Sequence, residues 1–206
     1  CFERLNITSK IEIASISDIP AGSGLGSSST YTVGLLNVLY SMMGEKKSLQ
    51  FLANEACIIE MDILKKPMGK QDQYLAAMGG FVVLEIEKDG RVNAKNIYLD
   101  NDRKKILENN ILIFYTGKQR KNHGILKEQD DSTKENKSAV LESLHYIKES
   151  GYKILDIVEN GDIDDLGLMF KEHWIMKKKL SSGITNQKFD NIYDIRSEER
   201  RVGKEC

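Results

Sequence analysis

The sequence predicts an α+β protein, and three stretches carry that reading. Residues 11–19 alternate apolar and polar side chains (Ile11, Ile13 and Ile16, with Glu12, Ser15 and Ser17 between), the period of a strand. After a glycine-rich turn, residues 27–43 place Val33, Leu36, Leu39, Tyr40 and Met43 at helical spacing. Further on, two apolar runs at 81–86 and 92–99 flank Asp89-Gly90, a hairpin signal.

The remaining elements follow from start and stop signals. Gly44 stands where a left-handed cap would close the first helix. Ser48 is the expected N-cap of a second, whose stripe is Leu49, Leu52, Ala53, Ala56, Ile63 and Leu64 and whose end is Pro67. A short third helix is expected over 70–78, between Gly69 and Gly79-Gly80. The apolar run 111–115, ending near Gly117, reads as a buried strand. Helices are expected at 138–150, 153–159, 163–180 and 187–195, and the polar stretch 118–137 reads as a mobile loop. The text contains no internal repeat. A mixed α+β domain over 1–103 is therefore followed by an α-rich one over 104–195.

Composition narrows the function classes. Of 206 residues, 40% are apolar and 30% charged, the balance of a globular protein, and the formal net charge of −1 gives no field for nucleic acid or an anionic membrane. No apolar run approaches the roughly 20 residues that span a bilayer, and no secretory leader stands at the front. Cys1, Cys57 and Cys206 share no metal or disulfide spacing, which suits a reducing, cytoplasmic setting. His123, His145 and His173 share no zinc-ligand spacing.

The most informative string is Pro20-Ala21-Gly22-Ser23-Gly24-Leu25-Gly26-Ser27-Ser28-Ser29, set between the expected strand and helix. Glycines let a backbone approach an anion and adopt positive φ. The helix that follows offers unpaired N–H groups and the positive end of its dipole, which suits a di- or triphosphate. Serines in the first turn add donors or a Mg²⁺ ligand. The string is neither a Walker A loop, lacking Gly-Lys-Ser/Thr, nor a dinucleotide fingerprint, whose third glycine would come one residue later. An ordinary serine-capped turn is the plainer alternative.

A second anomaly is Glu60. It completes the apolar stripe of the second helix, where an acid costs several kcal/mol unless a cation or hydrogen bonds offset it. A bound Mg²⁺ would do so; a Glu at the rim of the stripe, with its head in water, is the alternative. Twelve residues on, Gly69-Lys70-Gln71-Asp72-Gln73-Tyr74 offers a second carboxylate. One acid to hold a metal and one to accept or orient a hydroxyl proton would serve a phosphoryl-transfer site, although Asp72 also suits a helix cap.

These residues resemble the GHMP kinase superfamily, which includes galactokinases, homoserine kinases and mevalonate kinases. Pro20 to Ser29 is similar to its second motif, Pro-x-x-x-Gly-Leu-Gly-Ser-Ser-small, which wraps the ATP phosphates. Pro67-Met68-Gly69-Lys70-Gln71-Asp72-Gln73-Tyr74, with Glu55-Ala56-Cys57 and Ile59-Glu60 upstream, resembles the branch of D-glycero-D-manno-heptose 7-phosphate kinases. So do Phe114-Tyr115-Thr116-Gly117, residues 174–180 and Leu180-Ser181-Ser182-Gly183-Ile184-Thr185-Asn186. The likeness runs over about residues 5–195.

The resemblance implies an ATP-dependent kinase that moves the γ-phosphate to a hydroxyl of a sugar phosphate, with ATP and Mg²⁺ as cofactors. Gly22, Gly24, Leu25, Gly26, Ser27, Ser28 and Ser29 would bind the ATP phosphates. Glu60, with Ser27 or Ser28, would hold Mg²⁺, and we take Ser28 as the ligand. Asp72 would be catalytic, and Gln73 and Arg120 would be substrate contacts, a solvated loop charge being the alternative for Arg120. The implied fold is an S5-like α+β domain followed by a ferredoxin-like α+β domain, and a homodimer is compatible with it. A galactose or fucose acceptor, or a non-catalytic member that binds nucleotide or sugar, are the rival readings.

Other features invite plainer expectations. Lys177, Lys178 and Lys179 read as a solvated basic face beyond the stripe Ile163, Leu166, Phe170 and Trp174, with a sugar-phosphate contact as the alternative. Met42, Met43, Met61 and Met68 read as core or gap-filling residues. The family's first motif would precede Cys1 and its third would follow Ile195, so truncation at both ends is expected. Residues 196–206 resemble the in-frame translation of a sequencing-adapter oligonucleotide and are expected to be a non-native tail.

Overall fold

The computed structural model describes residues 1–19, 23–113, 128, 131–135, 138–181 and 183–202, with side chains through 195. The chain divides into two compact units, Cys1–Lys121 and Asn122–Cys206. It is rich in helix, with a two-stranded sheet among the described residues, consistent with the α+β class.

In the first unit α1 spans Ser27–Met42 and stops as its text implies, with Gly44 in the left-handed region at φ +74°. Helix α2, Leu49–Cys57, starts on Ser48, whose hydroxyl accepts the Phe51 N–H at 3.2 Å. It continues into a π-helical turn, Ile58–Ile63. Helix α3 spans Gln71–Met78 and ends at Gly79, φ +62°. Strands β1, Phe81–Ile86, and β2, Val92–Ile97, pair antiparallel from Phe81 opposite Ile97 to Ile86 opposite Val92, with Gly90 at φ +83° in the turn. Helix α4, Asn101–Asn110, is the last element described in the unit.

Two clusters hold these elements together. Val33, Leu36 and Tyr40 of α1 pack against Leu52 and Ala56 of α2 and Ile59 of the π-turn. On its other side, α2 sends Ala53 and Cys57 against Tyr74 of α3 and Val92 of β2. Helices α2 and α3 thus lie between α1 and the hairpin. Each fully buried large side chain contributes roughly 1.5–3 kcal/mol. That packing fixes the start of α1 beside the end of α2.

Several expectations fail for identifiable reasons. Residues 11–19 form no strand, and Ile16 is 98% exposed. Alternation licenses a strand only if a neighbour supplies the ladder, and among the described residues none does. Residues 111–113 are likewise exposed and outside the sheet, while 114–120, including Arg120, lie outside the described residues. Helix α4 had no periodic signal because its only buried residue is Leu107; its start is set by Asp100, whose Oδ1 accepts the Arg103 N–H at 2.8 Å. Ile63 and Leu64, expected on the buried stripe, are more than half exposed, because the wider π-turn changes the phase of the helix. Met42 and Met43 are exposed as well.

In the second unit α5 is one helix, Ser138–Glu159, running through Gly151 where a break was expected. A glycine inside a helix costs only about 1 kcal/mol, which packing outweighs. Helix α6, Asp165–Lys178, packs on α5, and α7 spans Gln187–Val202. Lys178 lies over the Trp174 ring and pairs with Asp190 of α7 at 3.4 Å, so it links the two helices. Of the expected loop 118–137, only residues 128 and 131–135 are described, and 131–134 are helical. Among the described residues no helix is long and apolar enough to cross a membrane.

Candidate active site

The glycine–serine string enters α1 through two left-handed glycines, Gly24 at φ +85° and Gly26 at φ +67°. Pro20, Ala21 and Gly22 lie outside the described residues. Gly26 is the N-cap of α1 and offers no side chain to the helix start, and the first turn carries no acidic residue. The N–H groups that a helix leaves unpaired at its start are therefore capped by nothing from that residue. Gly26 is also a point of close approach. A Cβ there would lie 3.2 Å from Cγ and 3.3 Å from Oδ2 of Asp72.

Asp72, in the first turn of α3, consequently faces the loop from the other side. Loop residues 24–26, Thr30, Asp72, Leu75 and Ala76 line an open cleft of about 370 Å³. Among the described residues nothing pairs with the Asp72 carboxylate. That carboxylate lines the cleft together with Gly26, the N-cap at the positive end of α1.

Glu60 has the opposite character. It is fully buried, and its two oxygens are saturated with donors. Oε1 accepts from Ser28 Oγ at 2.6 Å and from Lys66 Nζ at 3.0 Å; Oε2 accepts from Ser29 Oγ at 2.7 Å and Gln73 Nε2 at 2.8 Å. Burial alone raises the carboxyl's pKa, but the four donors Ser28, Ser29, Lys66 and Gln73 outweigh it and hold the group below its ordinary 4.5. The π-turn carries Glu60 on the side facing α1, and the inward carboxylate of the sequence reading is real.

The donor set fits a hard divalent cation. A carboxylate oxygen and the Ser28 hydroxyl adjoin one another, and an ammonium already stands between them, with Lys66 Nζ 2.8 Å from Ser28 Oγ and 3.0 Å from Glu60 Oε1. A positive charge is thus stable at that point. Among the described residues no group of three or more His, Cys, Asp or Glu side chains could hold a metal ion.

Gln73 was expected to touch substrate. Instead it is fully buried, donates to Glu60, and leaves its own Oε1 unpartnered in the interior, as Ser23 leaves its Oγ. Lys66, Thr30, Leu75 and Ala76 escaped the sequence reading. For Lys66 a signal existed, since Lys65-Lys66-Pro67 puts a cation just past the acid. Lys65 takes φ +52°, and the turn it makes returns the Lys66 N–H to the Glu60 carbonyl at 2.9 Å.

Residues 1–80 match the family described as GHMP kinases N terminal domain. The chain is 30% identical over 179 residues to D-glycero-alpha-D-manno-heptose 7-phosphate kinase of Campylobacter jejuni, covering 87% of this chain and 52% of that protein. It is 27% identical over 190 residues to L-fucokinase/L-fucose-1-P guanylyltransferase of Bacteroides fragilis, covering 90% of this chain and 20% of that one. The chain therefore spans about half the length of the first relative and a fifth of the second.

Proposed function

We propose, from the GHMP kinase N-terminal domain that residues 1–80 match, that this chain is part of an ATP-dependent sugar kinase. The acceptor we favour is a hydroxyl of D-glycero-D-manno-heptose 7-phosphate, by likeness to the Campylobacter jejuni relative. The observation that carries the reading is the meeting of Glu60 with Ser28 and Ser29 at the start of α1, beside an unpaired Asp72.

On this reading residues 24–29 and the N-terminus of α1 bind the nucleotide's phosphates through backbone N–H groups and serine hydroxyls. Glu60 and Ser28 would hold Mg²⁺, which would supply positive charge against the negative charge of the nucleotide's phosphates. The Ser29 hydroxyl and the Gln73 amide fix the Glu60 carboxylate by holding its second oxygen. Asp72 accepts or orients the proton of the acceptor hydroxyl, which becomes the nucleophile. Much of the rate enhancement then comes from position and preorganised charge. Residues 1–103 would form the S5-like domain and 104–195 part of a ferredoxin-like one.

The test is Mg·ATP turnover by the gene product in which this chain occurs, offered heptose 7-phosphate, galactose and fucose in parallel. Turnover is expected to be fastest with the heptose. Preference for fucose would favour the second reading, suggested by the Bacteroides fragilis relative. Asp72→Asn should lower kcat by orders of magnitude with little change in nucleotide affinity, and an unchanged kcat would remove its proposed role.

A further inference from the structure

The position of Lys66 goes beyond that reading, although it rests on the assignment of the metal to Glu60 and Ser28. Lys66 Nζ contacts the same two oxygens, donating to Ser28 Oγ at 2.8 Å and to Glu60 Oε1 at 3.0 Å. Those oxygens are themselves only 2.6 Å apart. Mg²⁺ binds oxygen at roughly 2.0–2.1 Å and takes the lone pairs to which the ammonium donates, so the two cations compete for this pair.

We infer that Lys66 is the resident counter-ion of the metal site, which neutralises and orders the Ser28–Glu60 pair until a divalent cation displaces it. Glu60 is fully buried, and an unpaired carboxylate there would be strongly destabilising. Lys66 supplies the missing charge while remaining about one-third exposed, so its ammonium has a route to water. The backbone holds it ready. Lys65 adopts a left-handed conformation that costs a lysine roughly 1–2 kcal/mol, and the Lys66 N–H closes on the Glu60 carbonyl at 2.9 Å. Strain at that turn is retained where it returns a cation to the acid it serves.

The experiment titrates MgCl₂ into the gene product with a non-hydrolysable ATP analogue present, comparing wild type, Lys66→Met, Lys66→Gln and Glu60→Gln. Calorimetry gives the Mg²⁺ affinity, and thermal unfolding gives stability with and without metal. Both Lys66 variants should melt lower than wild type without metal and gain more on adding it. They should bind Mg²⁺ about tenfold more tightly, since no charge-assisted bond has to be given up. Lys66→Gln keeps a donor and guards against a variant that fails to fold. If Glu60→Gln loses Mg²⁺ binding while the Lys66 variants bind it no more tightly than wild type, the counter-ion role is overturned and the metal site stands. If Glu60→Gln binds Mg²⁺ as wild type does, both fall.

Discussion

Ser29 Oγ donates to Glu60 Oε2 at 2.7 Å, and both side chains are almost wholly removed from solvent, at 1% and 0% exposure. Residues 31 positions apart are thus joined by a buried, charge-assisted bond between the start of α1 and the π-turn after α2. Ser29→Ala should cost about 1–3 kcal/mol, because it leaves a buried anionic oxygen one donor short. Urea unfolding measures this, and a loss below a few tenths of a kcal/mol would mean that the bond contributes nothing net.

The same cluster sets an acid limit on stability. The folded Glu60 carboxyl lies below its ordinary 4.5, so near that pH the folded state binds fewer protons than the unfolded chain. Its contribution is full above 4.5 and is lost as pH falls through the folded value. The stability difference between wild type and Glu60→Gln should therefore be largest near neutral pH and narrow below 4.5, as read from urea midpoints across that range.

Gly26 and Gly44 separate backbone strain from steric conflict. Both have positive φ, +67° and +74°, but a Cβ on Gly44 meets nothing within 4 Å, whereas on Gly26 it meets Asp72 at 3.2 Å. Either alanine should cost about 1–2 kcal/mol by unfolding. Only Gly26→Ala should also lower kcat severalfold more than its stability loss explains, because Asp72 must move.

Removing the Ser48 cap tests how far the site depends on α2. Ser48→Ala forfeits the bond from the Phe51 N–H and should destabilise the protein by about 1 kcal/mol in urea. The loss should appear in the unfolding midpoint without a change in slope.

Cys57 should be inert in the folded protein. Burial pushes its thiol up to about 11, so little thiolate forms at about pH 8. A thiol reagent should label it only after denaturant is added, and rapid labelling of the native protein would contradict the packing of Cys57 against Tyr74 and Val92.

Local text made much of this legible. The glycine–serine loop opening a helix, the Ser48 cap, the hairpin turn at Gly90 and the misplaced acid at Glu60 each leave a signature within a few residues. What failed depended on partners. Residues 11–19 alternate but lack a described neighbour to pair with, and α4 buries too little to leave a period.

By itself the sequence determined which residues are polar where a core should be, and which turns only glycine can make, because those follow from side-chain chemistry and backbone sterics at one place. Tertiary structure alone decided that Lys66, Ser28, Ser29 and Gln73 surround Glu60 and that Asp72 closes on Gly26. Those encounters depend on how α1, the π-turn and α3 pack, and on an extra residue in a helical turn that shifts its phase. Hydrophobic periodicity does not encode contacts of that range.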